Sequence, residues 1–151
     1  MRIAVGEGSC GIASGAAAVY GELEKFVSSG TVLGITGCIG MCWLEPIVDI
    51  YDGKELKARL VKVKQEDAQR IALAADTGDM SPVADLIIND DDASFLTKQT
   101  RVALENCGIV DPADINSYIE YGGYNALEKA VCTLTPEQVI EEVKISGLAG
   151  R

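Results

Sequence analysis

Thr31-Val32-Leu33-Gly34-Ile35-Thr36-Gly37-Cys38-Ile39-Gly40-Met41-Cys42 decides how the rest of the chain is read. Its first half is short, β-branched and uncharged, the composition of a buried strand. Its second half places Cys38 and Cys42 on the loop that leaves this strand, among Gly37 and Gly40. Glycine takes positive φ without steric cost, which can turn backbone amides toward sulfur. Thiolates ringed by N–H donors suit an iron–sulfur cluster. The alternative is a pair of small hydrophobes buried in a tight loop, the ordinary fate of a free cysteine.

On the N-terminal side, Arg2 to Val5 reads as a strand and Gly6-Glu7-Gly8-Ser9-Cys10-Gly11 as a glycine-rich turn. Ile12 to Val27 reads as one helix, with Ala16, Val19, Tyr20, Leu23 and Phe26 at helical spacing. A strand, a helix and a second strand imply a parallel pair with a right-handed crossover, with the 31–36 strand central. On the C-terminal side, Ile47 to Tyr51 and Leu56 to Val63 read as two antiparallel strands, with Asp52-Gly53 as the hairpin signal. Gln65 to Ala75 reads as a helix. The expected fold is α/β: a thioredoxin-like mixed sheet flanked by helices, followed by a smaller, mainly helical segment.

Net charge is −1 over residues 1–75 and −9 over residues 76–151, a shift that suggests two units. The expected division is a first domain at 1–75, a linker at 76–84 around Thr77-Gly78-Asp79-Met80-Ser81-Pro82, and a segment at 85–151. Within that segment Asn89-Asp90-Asp91-Asp92 reads as a solvated turn, and Phe95 to Leu104 fits either strand or helix. A helix is expected to start at Pro112, capped by Asp111, and another to run from Asn125 to Cys132. Thr135-Pro136-Glu137-Gln138 is a capping box that opens a helix ending at Ser146, with Gly147 as its stop.

Turns that follow two parallel strands fall at one edge of the sheet. Cys10 is therefore expected beside Cys38 and Cys42. Three thiols without histidine suit a [2Fe–2S] cluster better than zinc, whose structural sites draw on two ligand pairs. Such a cluster ordinarily takes four protein ligands, and Gly6 stands where a cysteine would complete the set. Cys107 and Cys132 read as buried structural thiols. A dithiol oxidoreductase would place its pair at a helix N-terminus, which Pro46 forbids so soon after Cys42. Gly6, Gly8 and Gly11 match the spacing of a dinucleotide fingerprint, but no acidic residue ends the next strand to hold a ribose. Trp43 reads as a core or interface residue.

Composition narrows the classes further. The chain has 151 residues, no histidine and a net charge of −10. The commonest general base and the usual nucleophilic dyads are thus missing. An acidic chain without a basic face is not expected to bind nucleic-acid phosphates. No apolar run reaches spanning length and no signal peptide opens the chain, so no membrane insertion is expected. Five cysteines without dense spacing point to reduced thiols and a cytoplasmic protein.

Val5-Gly6-Glu7-Gly8-Ser9-Cys10-Gly11-Ile12-Ala13-Ser14-Gly15, with Gly37-Cys38-Ile39-Gly40-Met41-Cys42-Trp43-Leu44-Glu45-Pro46, resembles the thioredoxin-like [2Fe–2S] ferredoxin domain of bacterial NADH-oxidising flavoprotein subunits. These subunits are related to the NADH-binding subunit of respiratory complex I and to its counterpart in electron-bifurcating hydrogenases. Lys98 to Pro112, Ile119 to Leu127 and Leu134 to Arg151 resemble the stretch that leads into the flavoprotein. The resemblance implies an electron-transfer part of an NADH dehydrogenase-type oxidoreductase, not catalytic alone, with Cys10, Cys38 and Cys42 as cluster ligands and no ligand role for Cys107. It implies as partners a flavoprotein and other subunits of a redox complex. FMN and NADH sites are expected only in a continuation beyond Gly150-Arg151 or in a partner. The alternative expectation is a docking module in such a complex that carries no cluster.

Overall fold

In the computed structural model, which describes residues 1–150, four strands form one mixed sheet in the order β2-β1-β3-β4. β1 (Arg2–Gly6) runs parallel to β2 (Val32–Thr36), in register from Arg2 opposite Val32 to Gly6 opposite Thr36. On its other side β1 pairs antiparallel with β3 (Val48–Asp52), which continues through a hairpin into β4 (Glu55–Leu60). A parallel strand–helix–strand unit joined edge-on to a hairpin, in this order and with helices against the sheet, is the expected arrangement. The fold is thioredoxin-like.

Two features of the sheet differ from the sequence reading. The 31–36 strand lies at the edge, because β1 takes the place between β2 and β3, and Val32 is 63% exposed. The hairpin turn falls one residue later, at Gly53-Lys54, since Asp52 still pairs with Glu55 and Gly53 adopts a φ of 56°. The single helix expected from Ile12 to Val27 is divided in two. α1 (Ser9–Ala13) stops at Ser14, Gly15 takes a left-handed φ of 101°, and α2 (Ala16–Leu23) starts anew. Cys10 therefore sits in the first turn of a short helix.

The main core is built from alternate positions of the sheet. Ile3 and Val5, Val48 and Ile50, and Ala58 and Leu60 pack with Ala16, Val19 and Leu23 of α2 and with Ile71, Ala74 and Ala75 of α3 (Ala68–Thr77). A 3-10 turn at Gln65–Asp67 leads into α3. Gly11 packs α1 directly against the end of β1. A methyl group there would lie 2.1 Å from the Gly6 carbonyl oxygen. Gly11→Ala is expected to cost about 2–3 kcal/mol and to lower the melting temperature by roughly 10 °C. A thermal melt indistinguishable from the parent's would contradict this packing.

The chain does not divide where its charge shifts. Residues 81–86 form a 3-10 turn whose Val83 is fully buried in the main core, and Ile87 bridges to Leu60. The acidic run is not a free turn. Asn89 caps α4 (Asp90–Thr97) by accepting from the Asp92 amide at 2.8 Å, so the three aspartates line the favourable N-terminal turn. The segment after α4 is tied back to the sheet. Tyr51 Oη donates to the Gly108 carbonyl at 3.2 Å, Arg2 Nη2 donates to the Ile109 carbonyl at 2.8 Å, and the Ile35 amide donates to the Asp111 carboxylate at 3.3 Å. The first compact unit accordingly runs from Met1 to Asp114, and a second begins at Ile115.

The second unit holds α5 (Ile115–Glu120), α6 (Asn125–Cys132) and α7 (Pro136–Ser146). α5 starts three residues later than Pro112, because Asp111 accepts from the Ala113 amide at 2.8 Å in a turn. The capping box of Thr135 and Gln138 is formed, and Gly147 closes α7 in the left-handed conformation. None of these three helices contains a buried residue. Arg151, the last residue of the stretch likened to the flavoprotein lead-in, lies outside the described residues.

Candidate metal centre

Gly6 and Thr36 are paired in register, so the segments leaving β1 and β2 start side by side at one sheet edge. That edge carries Cys10, Cys38 and Cys42, all three exposed. The Cys38 and Cys42 sulfurs are 3.9 Å apart. Two thiolates on one tetrahedral metal, with bonds of about 2.3 Å, sit about 3.8 Å apart, so this pair is spaced to share an iron. The Cys10 thiol is near enough to act on Cys42 and push its thiol up. Cys10, expected beside Cys38 and Cys42, lies at the same sheet edge.

Local sequence explains the gathering. A Cβ at Gly8 would lie 2.7 Å from the Cys38 Cβ, so only a bare backbone lets the two loops touch. Gly40 adopts a φ of 89° and its amide donates to the Cys38 sulfur at 3.3 Å. Gly37, expected to share that left-handed conformation, does not adopt it; the turn needs one such residue, and Gly40 supplies it. Met41, fully buried with Leu44 and Ile47, anchors the loop from beneath. Gly108 holds it from the side: a Cβ there would lie 2.0 Å from Ile39 Cγ2.

The thiols are not activated as nucleophiles. The Gly40 amide pulls the Cys38 thiol down, but burial, the Cys42 thiol and the negative charges of Cys42 and Glu45 outweigh it and leave Cys38 above the ordinary thiol range. The Cys10 thiol pushes the Cys42 thiol up, more than the Cys38 thiol lowers it. Without a metal both stay protonated at neutral pH, the reverse of a dithiol oxidoreductase. Binding a cation would displace those protons.

Glu45, whose charge acts on the Cys38 and Cys42 thiols, is a site residue that the sequence reading does not identify. The signal was an acid inside the apolar run Trp43-Leu44-Glu45-Pro46-Ile47-Val48. It is 9% exposed, it precedes a cis peptide bond to Pro46, and its Oε2 accepts from the Ile47 amide at 2.9 Å. Burial raises its carboxyl above the usual range, the Ile47 amide works against this, and Asp49 adds to the rise. A carboxyl whose folded pKa exceeds its unfolded one holds more protons when folded, so stability falls as pH climbs through that interval. Glu45→Gln in the metal-free protein is therefore expected to melt higher than the parent at pH 7. The difference should close as pH drops below the carboxylate range, and a gap that persists in acid would contradict the burial of a charge.

Gly6 carries no donor, and a Cβ there would lie 3.4 Å from Glu45 Oε2. Cys107 is half-buried on the segment after α4, and Cys132 is exposed at the end of α6, so Cys132 is not the buried thiol expected; α6 buries none of its residues. Trp43 is half-exposed, edge-on to Phe95 at 5.2 Å, and its Nε1 donates to Asp92 at 3.2 Å. Among the described residues, no three His, Cys, Asp or Glu side chains converge to hold a single metal ion. A two-iron cluster takes its ligands as two separate pairs and does not need that convergence. The donor set fits such a cluster in kind: one correctly spaced thiol pair, a third thiol beside it and an N–H aimed at sulfur.

No protein-family model matches the chain. A stretch of 54 residues is 52% identical to the NADP-reducing hydrogenase subunit HndC of Solidesulfovibrio fructosivorans. This stretch is similar to a hydrogenase subunit. It makes up 36% of the chain and matches 11% of the length of HndC. A thioredoxin-like [2Fe–2S] ferredoxin from Aquifex aeolicus aligns over 58% of this chain and 89% of its own, with a TM-score of 0.48 and 22% identity. The wild-type crystal structure of that ferredoxin aligns over 59% and 96%, with a TM-score of 0.47 and 20% identity. No helix among the described residues is long and apolar enough to cross a membrane.

Proposed function

We propose that the first unit binds a [2Fe–2S] cluster through Cys10, Cys38 and Cys42 and relays single electrons within a multi-subunit NADH- or NADP-linked redox complex. The observation that carries this reading is the position of Cys42, 3.9 Å from the Cys38 sulfur and near enough to Cys10 for that thiol to push it up. The likeness to a hydrogenase subunit supports the setting. A bound cluster would take up and release one electron at a time. The protein's own residues set the conditions. Cys38 and Cys42 hold one side, Cys10 the other, and the Gly40 N–H on the Cys38 sulfur stabilises added negative charge, which raises the potential. Exposure of all three thiols keeps the site within reach of a partner's cofactor.

The helices after Ile115 belong to this reading as a docking element for a flavoprotein. Leu127, Val131, Ile140 and Val143 are all more than half exposed, and helices with apolar faces and no core gain one by association. The flavin and the nicotinamide site would lie in that flavoprotein. The presence of three gathered thiols instead of four favours a second reading, a docking module without a cluster. Reduction of the anaerobically reconstituted chain with dithionite separates the two. A paramagnetic signal equal to about one electron spin per chain is expected for the relay. Its absence, with visible absorption unchanged on reduction, would leave the docking module.

A further inference from the structure

We infer that Glu45 is the fourth protein ligand of the site, an oxygen donor paired with Cys10; this rests on the cluster reading above. The Cys38 and Cys42 sulfurs already have the spacing of two ligands on one metal. The second iron would then have Cys10 and needs one more donor close to the Cys10 turn. The chain has no histidine to supply it. The Glu45 carboxylate abuts both ends of the Cys10 turn. A Cβ at Gly6 would lie 3.4 Å from its Oε2 and 3.6 Å from its Oε1, and one at Gly11 would lie 3.1 Å from Oε2.

Its partners are incomplete for a buried acid. Among the described residues its carboxylate has one hydrogen bond, from the Ile47 amide to Oε2, and no salt bridge. A buried carboxylate without a cation is costly, and buried charges are normally paired or coordinate metals. Iron supplies the missing positive charge, and Oε1 is the oxygen left to meet it. Iron–sulfur sites accept a non-thiolate donor, as in clusters where histidines replace two cysteines. The bare backbone at Gly6 and Gly11 is then the space that the carboxylate needs.

The test compares the full chain with Glu45→Gln, Glu45→Ala and Glu45→Cys after anaerobic reconstitution with ferrous iron and sulfide. Readouts are iron and acid-labile sulfide per chain, the visible spectrum and the paramagnetic signal of the reduced form. The parent is expected to bind about two irons, and the Gln and Ala variants less than half as much. The Cys variant should regain iron with charge-transfer bands and a paramagnetic signal that differ from the parent's, because a thiolate has replaced an oxygen. Circular dichroism on the metal-free proteins controls for folding. Full iron and an unchanged spectrum in the Gln or Ala variant would overturn the assignment while leaving the cluster intact. So would a Cys variant that binds iron with the parent's spectrum. A parent that takes up no iron would overturn the cluster itself, a result that the first two outcomes cannot mimic.

Discussion

Cys42→Ser is expected to reduce bound iron from about two atoms per chain to background, the largest change any single cysteine should produce. Cys42 is the sulfur on which both others act: Cys38 stands 3.9 Å away, and Cys10 pushes the Cys42 thiol up. Removing it separates the spaced pair and the third thiol at once. Serine keeps the volume and a hydrogen-bonding oxygen, and position 42 is exposed, so the metal-free fold should be unaffected. Cys107→Ser and Cys132→Ser supply the contrast. Neither thiol is among the three proposed ligands, and both variants should bind iron as the parent does. Measured iron and sulfide contents decide the matter. Retention of iron in Cys42→Ser, or its loss in Cys132→Ser, would move the site away from this edge.

Asp49→Ala is expected to destabilise the first unit by about 3–5 kcal/mol, seen as a fall of roughly 10–20 °C in melting temperature. Asp49 is 3% exposed on β3, and its carboxylate accepts from Arg59 Nε at 2.8 Å and from Nη2 at 2.7 Å. Tyr51 Oη adds a third contact at 3.2 Å, and the Arg2 guanidinium lies over the Tyr51 ring at 4.6 Å. Burial and the Asp49 charge push the Tyr51 phenol up to about 12. Removing the carboxylate leaves the Arg59 guanidinium buried without its counter-charge, which is why the single change costs more than the pair itself contributes. The double change Asp49→Leu with Arg59→Met should recover most of the loss. A drop under about 1 kcal/mol for Asp49→Ala would mean that the pair is solvated.

Much of the architecture is legible in local sequence because local rules decide it. β1, the hairpin partners and α7 follow from alternation, an Asp-Gly signal and a capping box, each a matter of neighbouring residues. The edge position of β2 is not local. Its apolar run reads as central, and only the pairing of β1 with β3 shows that Val32 is exposed. The break between α1 and α2 turns on one glycine, Gly15, within an alanine-rich stretch whose propensity favours helix throughout. The boundary at Asp114 instead of 76–84 follows from Val83, Gly108 and Asp111, whose contacts with the sheet lie far away in sequence. At the site, the meeting of Cys10 with Cys38 and Cys42 follows from the parallel pairing of two strands. Glu45 is not legible in the sequence, because a lone acid before a proline has no spacing to mark it, and its burial depends on Gly6 and Gly11.

Iron and acid-labile sulfide content, determined with a visible spectrum on chain purified without oxygen, tests the central claim most directly. The account predicts about two irons and two sulfides per chain, with charge-transfer bands that bleach on addition of dithionite. A colourless protein that holds neither, and takes up neither on reconstitution, would contradict it.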